Sequence, residues 1–378
     1  MYSVMSYGHM AADGVRMDAY ARAIARAVRP GSVVLDLGAG TGVLSLLAAK
    51  AGARKVHAID TNPAVLLLRD LAVECGVADR IEIHHQSSLD LTLAEAADVI
   101  VSDLRGGTPL HEEHFTLIQD ARQRLLRPGG VLIPAQDRLM VALVDSARLT
   151  RDFNLALAGF TRLGLSARAV HLSMANTVFG DGSNELSASH VLSSSGLWAN
   201  LDYASVEPGV VEGEVELTCQ RGGRGNALAV WFETSVFGEI GYSTAPGYSS
   251  VYTRTLLPLL EPHDVSAGER LRVVVRASSR GDRWAWDTTF LDRTTTTGSA
   301  LRQATFLGTP TSPSALLRNA TTFTPTRDAR GDRALRALAA MDGTHDIARI
   351  TELVGRETSL AHDRVLDEVR DIVARYGR

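Results

Sequence analysis

The chain is short of cysteine, of net charge and of long apolar runs, and each shortage removes a class of function. Cys75 and Cys219 are the only cysteines in 378 residues; they are far apart and form no CxxC pair, which excludes a zinc ribbon and a disulfide-dense secreted scaffold. A reducing, cytoplasmic setting is expected. Lys and Arg number 39 against 43 Asp and Glu, a formal −4, so no global field recruits nucleic acid or an anionic membrane surface. Partners must therefore be argued from sites. The most apolar stretch, "SVVLDLGAGTGVLSLLAAKAG", is broken by Asp36 and four glycines, and no basic region followed by an apolar one opens the chain. A soluble protein is expected, and 45% hydrophobic content over this length supports two or three domains.

What is present falls into three textures. From about residue 13 to 145, short apolar runs alternate with helical periodicity: "SVVLDLG", "KVHAID", "RIEIHH", "ADVIVSDL" and "VLIPA" read as strands, with helices between them. This predicts a doubly wound, Rossmann-like α/β domain over 1–145. Residues 146–325 turn β-rich, with "GVVEGEVELTCQ", "ALAVWFETSVFG", "SVYTRTLLPLL" and "ERLRVVVRAS" parted by turn residues, and predict a β-barrel or sandwich domain. Within it, "RLTRDFNLALAGFTRLGLSARAV" near 146–185 reads as a helical insertion or arm, and the Ser, Thr and Pro-rich segment "TRTTTTGS…TPTRD" as a linker. Residues 330–378 are helical again and form a small third module.

In "VVLDLGAGTG", Asp36 ends a strand, and Gly38, Gly40 and Gly42 lead into a helix. Backbone must come close to a ligand at such a turn. Val43 stands where a dinucleotide fingerprint would carry its third glycine, so S-adenosylmethionine fits better than a nicotinamide. Asp60, ending the second strand, is placed to accept hydrogen bonds from two ribose hydroxyls.

"VRMDAYARAI", "VLDLGAGTGVLSLLAAKAGARKVHAID", "DVIVSD", "PGGVLIP" and "WFETSVFGEIGYSTAPGYSSVYTRTLLPLLEP" together closely resemble the protein arginine methyltransferases, over roughly residues 2–280. The resemblance implies a class I methyltransferase domain, a β-barrel, a dimerisation arm and head-to-tail homodimers. It places Arg16 on the methionine carboxylate of the cofactor, Asp36 and Gly38 near its amino group, Asp60 on its ribose, and Ser87 and Ser88 at its adenine. Tyr7 and Met10 belong to the segment that folds over it. His9 lies in that segment too, and His84 or His85 is a candidate lining of the adenine side.

The family's pair of substrate-gripping glutamates maps onto "SDLRGGTPLHEEHF", at Asp103 and Glu112, with Glu113 competing for the second position. The chemistry supports such a pair: an amine attacking a sulfonium methyl needs its lone pair in line, and nearby carboxylates orient its N–H groups, take a proton and offset positive charge. The plain structural alternative is an acidic first helical turn. "HEEH" spaces His111 and His114 three apart rather than the four of a zincin helix, so no metal is expected there. Two departures matter. Arg105 sits inside the loop, and Thr253-Arg254-Thr255 replaces the family's Thr-His-Trp. Cations beside a guanidinium site oppose binding. Arginine is thus disfavoured, and Arg105 and Arg254 either pair with carboxylates or hold an anionic part of another amine substrate. Trp284 and Trp286 share one strand face and read as barrel core.

"ALAAMDGTHDIARITELVGRETSLAHDRVLDEVRDIV" resembles the small, winged-helix-like PqqD family, whose members bind leader peptides of ribosomal natural products; a helical tail packed on the barrel or on a partner is the structural alternative. The sequence therefore predicts an S-adenosylmethionine-dependent N-methyltransferase of a peptide amine, of the daptide type if the precursor reading holds. The alternatives are a true protein arginine methyltransferase with an altered clamp and a catalytically silent cofactor- or peptide-binding subunit. The partners expected are a peptide or protein substrate and a second copy of the chain.

Overall fold

The computed structural model describes residues 2–182, 185–291 and 300–377. It divides into two compact units, 1–310 and 311–378.

The first unit opens with helices α1 (Val4–Ala11) and α2 (Gly14–Ala27), the latter capped by Asp13, whose carboxylate accepts the Arg16 N–H at 3.3 Å. Then come β1 (Val33–Leu37), α3 (Val43–Lys50), β2 (Lys55–Asp60), α4 (Leu68–Glu74), β3 (Ile81–His85), β4 (Ala97–Ser102), α5 (His114–Asp120) and β5 (Leu126–Ile133). The five strands form one parallel sheet in the order β3-β2-β1-β4-β5. β1 shows why the run is continuously apolar: all five of its residues are buried, because helices cover both sheet faces. Ala19, Tyr20, Ala23 and Ile24 of α2 pack over Val34, Val99 and Val101 on one face, while Leu35, Leu37, Ile100, Ile118 and Leu125 pack on the other. Each such buried aliphatic side chain contributes about 1.5–3 kcal/mol.

Pro134 has no N–H to continue the ladder, and the chain changes sheets there. The elements that follow are β6 (Gln136–Val144), α6 (Ala147–Arg162), α7 (Arg168–Ala175), β7 (Phe179–Gly180), β8 (Gly196–Asp202), β9 (Val210–Thr218), β10 (Gly223–Phe237), β11 (Ile240–Ser243), β12 (Thr255–Val265), β13 (Arg270–Ser278), β14 (Trp284–Leu291), β15 (Ala300–Ala304) and α8 (Thr305–Gly308). One antiparallel sheet runs β7-β12-β10-β6-β8 with β11 on β10; the other runs β15-β14-β13-β9. β6 thus belongs to the β region, which begins before residue 146. Trp284 and Trp286 lie in the core between the sheets, Trp286 wholly buried and donating from its indole to the Pro258 carbonyl at 3.0 Å. The segment expected as an arm is the helical pair α6–α7, which exposes Leu155 on α6 and Leu163 and Leu165 in the turn that joins the two helices. Part of the expected linker, 292–299, lies outside the described residues; beyond it, β15 and α8 continue the first unit.

The second unit holds α9 (Pro313–Arg318), α10 (Ala329–Ala340), α11 (Ile347–Gly355) and α12 (His362–Tyr376) around a small core of Ala337, Ile350, Val354, Val365 and Val369. Arg333 grips Glu368 with two hydrogen bonds, at 2.7 and 2.8 Å, joining α10 to α12. Among its described residues there is no strand, so the winged-helix expectation is corrected to a helical bundle without a wing. Among the described residues of the whole chain, no helix is long and apolar enough to cross a membrane.

Candidate functional site

Two cavities, of about 430 and 890 Å³, open at the C-terminal ends of β1, β2 and β4 and share Gly38, Asp60, Leu104, His111 and Glu112. This is where an open α/β sheet binds ligands. The smaller cavity carries Ser87, Ser88, Glu113 and Arg280; the larger carries Tyr7, His9, Met10, Arg16, Asp103, Arg105 and Tyr252.

The β1–α3 turn is shaped by its glycines. Gly40 has φ +55, and a Cβ on it would lie 2.5 Å from the Tyr7 ring; Gly38 has φ +79 and would strike Leu104. Asp60 draws the turn in by accepting the Gly40 N–H at 2.7 Å, and it accepts the Asn62 N–H at 2.7 Å through its other oxygen. Burial, then the nearby Asp60 carboxylate, push the Tyr7 phenol up to about 12. Asp36, expected near the cofactor's amino group, has its side chain in the interior. It is 1% exposed, lines neither cavity and accepts the Ser45 hydroxyl at 2.6 Å; burial pushes its carboxyl up to about 7. Gly40 and Gly42 likewise line neither cavity, nor do His84 and His85; Gln86 lines the smaller one.

Asp103 is the centre of the larger cavity's charge. One oxygen accepts from Arg105 at 3.1 and 3.2 Å and from the Tyr252 hydroxyl; the other accepts from Arg16. Burial alone would raise its pKa, but the Arg105 and Arg16 guanidiniums hold it below the usual carboxylate range. Arg16 also donates to the Met10 carbonyl, and its Nε makes no hydrogen bond. Arg105 has a fully buried side chain. Its Nη1 donates to both oxygens of Asp137 at 2.9 and 3.1 Å and to Thr234 at 2.8 Å, and its Nη2 donates to Tyr20 at 2.7 Å and Tyr242 at 2.6 Å. Asp137 is itself 0% exposed and accepts the Tyr203 hydroxyl at 2.5 Å. Two carboxylates and two guanidiniums therefore cancel at the heart of the site. The sequence reading missed Asp137, because a lone Asp at the start of "QDRLMVALV" looks like an ordinary surface residue.

Glu112 sits at the mouth. Its side chain is 81% exposed, 3.7 Å from His111, and its φ of 43 is, among the described residues, the one positive value outside glycine. Glu113 turns toward Arg280 at 3.8 Å. His114 is buried against Tyr203, and burial followed by the field of Arg105 lowers its pKa to about 3. Arg254 is corrected from a substrate ligand to a structural residue. It lines neither cavity, is 1% exposed, faces Asp181 at 3.5 Å and donates to the carbonyls of Thr244, Ala245 and Tyr248.

S-Adenosylmethionine fits what is there. Ser88 leaves a buried hydroxyl without a hydrogen-bond partner on the smaller cavity, Arg16 lines the larger, and Asp60 borders both. Sheet order, glycine turn and acidic second-strand end define a class I S-adenosylmethionine-dependent methyltransferase. Residues 20–134 match the ribosomal protein L11 methyltransferase family (PrmA). Protein arginine N-methyltransferase 6 of Danio rerio is 33% identical over 264 residues, covering 64% of this chain and 72% of that protein. The chain belongs to the protein arginine N-methyltransferase family. The match to protein arginine N-methyltransferase PRMT10 of Oryza sativa subsp. japonica is stronger, at 41% identity, but spans only 36% of this chain and 37% of that protein. The crystal structure of Arabidopsis thaliana protein arginine methyltransferase 10 shares the fold, with a TM-score of 0.71 at 22% identity over 80% of this chain and 97% of that one.

Proposed function

We propose that the chain methylates an amine of a peptide, using S-adenosylmethionine, and that this amine is not a guanidinium. The observation that carries the proposal is the saturation of Asp103: both of its oxygens already face guanidiniums of the chain itself. A substrate guanidinium would find Asp103 already neutralised and one unspent carboxylate, Glu112, in place of a pair, so half of the expected compensation for its charge is missing. A primary alkyl amine gains from the same arrangement. It is protonated in water at neutral pH, with a pKa of about 10.4 in the lysine case, and must shed its proton to become a nucleophile. With Asp103 already neutralised, the site offers the ammonium form little compensation beyond Glu112, which favours the free base.

S-Adenosylmethionine supplies an electrophilic methyl group on a sulfonium. Asp60, Ser87, Ser88 and Arg16 would hold it, Glu113 stands at the rim, and Glu112 would orient the amine and accept its proton. The exposure of Glu112 lets an incoming chain reach it. A peptide, and more finely a ribosomal natural-product precursor, is motivated by the separately packed C-terminal helices, which present Leu335, Leu338 and Ile347 to solvent beside the PqqD-like pattern. A homodimer is motivated by the apolar crest of α6–α7. The second reading, arginine methylation, draws on family membership and on the single carboxylate left at the mouth.

Glu112→Gln separates binding from transfer. Calorimetry with S-adenosylmethionine should show affinity within a few-fold of the parent, while turnover falls by roughly 10²–10⁴-fold as general-base catalysis is lost. Unchanged turnover would remove Glu112 from the reaction.

A further inference from the structure

β2 and β3 run parallel in a register that sets His57 opposite Glu82 and Ile59 opposite His84. Side chains two apart on a strand share a face, so Glu82 and His84 of the edge strand β3 come together with His57 of β2. His57 Nδ1 and His84 Nε2 are 3.0 Å apart. The Glu82 carboxylate presents one oxygen to each ring, Oε2 at 3.8 Å from His57 Nδ1 and Oε1 at 3.7 Å from His84 Nε2. None of the three lines either cavity. Among the described residues, this is the one group of His, Cys, Asp and Glu side chains whose donor atoms converge closely enough to hold a metal ion.

We propose that His57, Glu82 and His84 bind a divalent transition metal of the zinc class, independently of the methyl-transfer site. Two imidazoles and one carboxylate suit zinc and its neighbours rather than magnesium or calcium, which favour oxygen-only shells. Donor spacings of this size allow all three to reach one ion at the usual bond lengths of about 2.0–2.2 Å, leaving a fourth position for water. The imidazoles are mostly buried, with side chains 13% and 16% exposed, whereas Glu82 is 47% exposed and gives the ion its entry. The contact between the rings needs a proton on one of the two facing nitrogens. On metal binding that proton moves to the other nitrogen of its own ring, so both rings stay neutral ligands and no redox partner is needed. A rival cation is already in place: Lys55 Nζ lies 2.8 Å from Glu82, on a side chain 33% exposed that can swing into solvent. The metal takes its place and clips the edge strand β3 to β2.

Calorimetric titration of the full, untagged chain with zinc chloride tests this. The expected result is one saturable equivalent, weakened by roughly tenfold or more in His57→Ala and in Glu82→Gln and strengthened in Lys55→Gln, where the competing ammonium is gone. Cobalt(II) should give the intense visible bands of a four-coordinate site, and these should be lost in His84→Ala. The Lys55 variant removes no ligand, so its result stands even where a histidine variant folds poorly. Absence of a saturable equivalent, or equal affinity in the parent, His57→Ala and Lys55→Gln, overturns the assignment.

Discussion

Asp137→Asn removes one charge from the buried quartet while nearly keeping its shape. Arg105 then keeps Asp103 as its only anionic partner, shared with Arg16, in a place where its own side chain has no exposure to water. Stripping one partner from a buried ion pair costs about 3–5 kcal/mol, because the remaining charge stays desolvated. The amide still accepts hydrogen bonds from Tyr203 or Thr234, so the lower end applies, about 3 kcal/mol. Because a kcal/mol lowers Tm by about 2–4 °C in large domains, the loss is on the order of 6–12 °C. The partner perturbation is Arg105→Met. Replacing a whole buried pair by groups of similar volume is often close to neutral, so Asp137→Asn/Arg105→Met should recover to within about 1 kcal/mol of the parent. Urea unfolding of the parent, both single variants and the double variant gives the cycle, with an interaction energy of at least about 2 kcal/mol expected. Simple additivity would refute the claim that Asp137 exists to compensate Arg105. The double variant also leaves one oxygen of Asp103 with only the Tyr252 hydroxyl and no guanidinium, so methyl transfer to an arginine-containing peptide should rise at least severalfold over the parent.

Other expectations follow from the same geometry. The folded-state pKa of Asp36, about 7, exceeds its unfolded value, so its penalty is absent below about pH 4 and grows as pH rises to about 7; the stability advantage of Asp36→Asn over the parent should therefore widen across that window in chemical unfolding, and a constant difference would contradict the burial argument. His114, lowered to about 3 by burial, folds neutral, so the parent should lose stability relative to His114→Gln as pH falls below about 6.5. Gly40→Ala, forced to positive φ with its Cβ against Tyr7, should weaken S-adenosylmethionine binding at least tenfold in calorimetry while leaving the far-ultraviolet dichroism unchanged. Ending the chain at residue 310 should leave the main thermal transition in place and weaken a long peptide substrate more than a short one; equal loss for both would assign the C-terminal helices a structural role.

The parallel domain was readable because each strand is bounded by turn residues and buried on both faces, so "VVLDLG" and "KVHAID" admit little else. The end of that domain was not. "QDRLMVALV" carries an apolar run suited to either sheet, and only pairing with β10 assigns it to the second. Gly38 and Asp60 were legible as candidate site residues because backbone approach and a strand-end acid follow local rules, and both line the cavities, whereas Ser88 was expected only from the family resemblance. Asp103 and Arg105 were legible as an anomaly but not as a resolution, since the partner that settles Arg105 lies far along the chain at Asp137. Arg254 misled for the same reason, because its cage of carbonyls comes from a loop folding back on itself. The absent wing of the C-terminal unit shows that helical periodicity fixes helices and says little about what joins them.

The most direct test of the central claim is a competition. Purified chain and S-adenosylmethionine would meet an equimolar mixture of an arginine-rich peptide and a lysine-free peptide bearing one primary alkyl amine, with the sites of added methyl located by tandem mass spectrometry. Methyl groups confined to the alkyl amine are the predicted result. Methyl groups on guanidine nitrogens, with the alkyl amine untouched, would show that the neutralised Asp103 still admits arginine and would contradict the account.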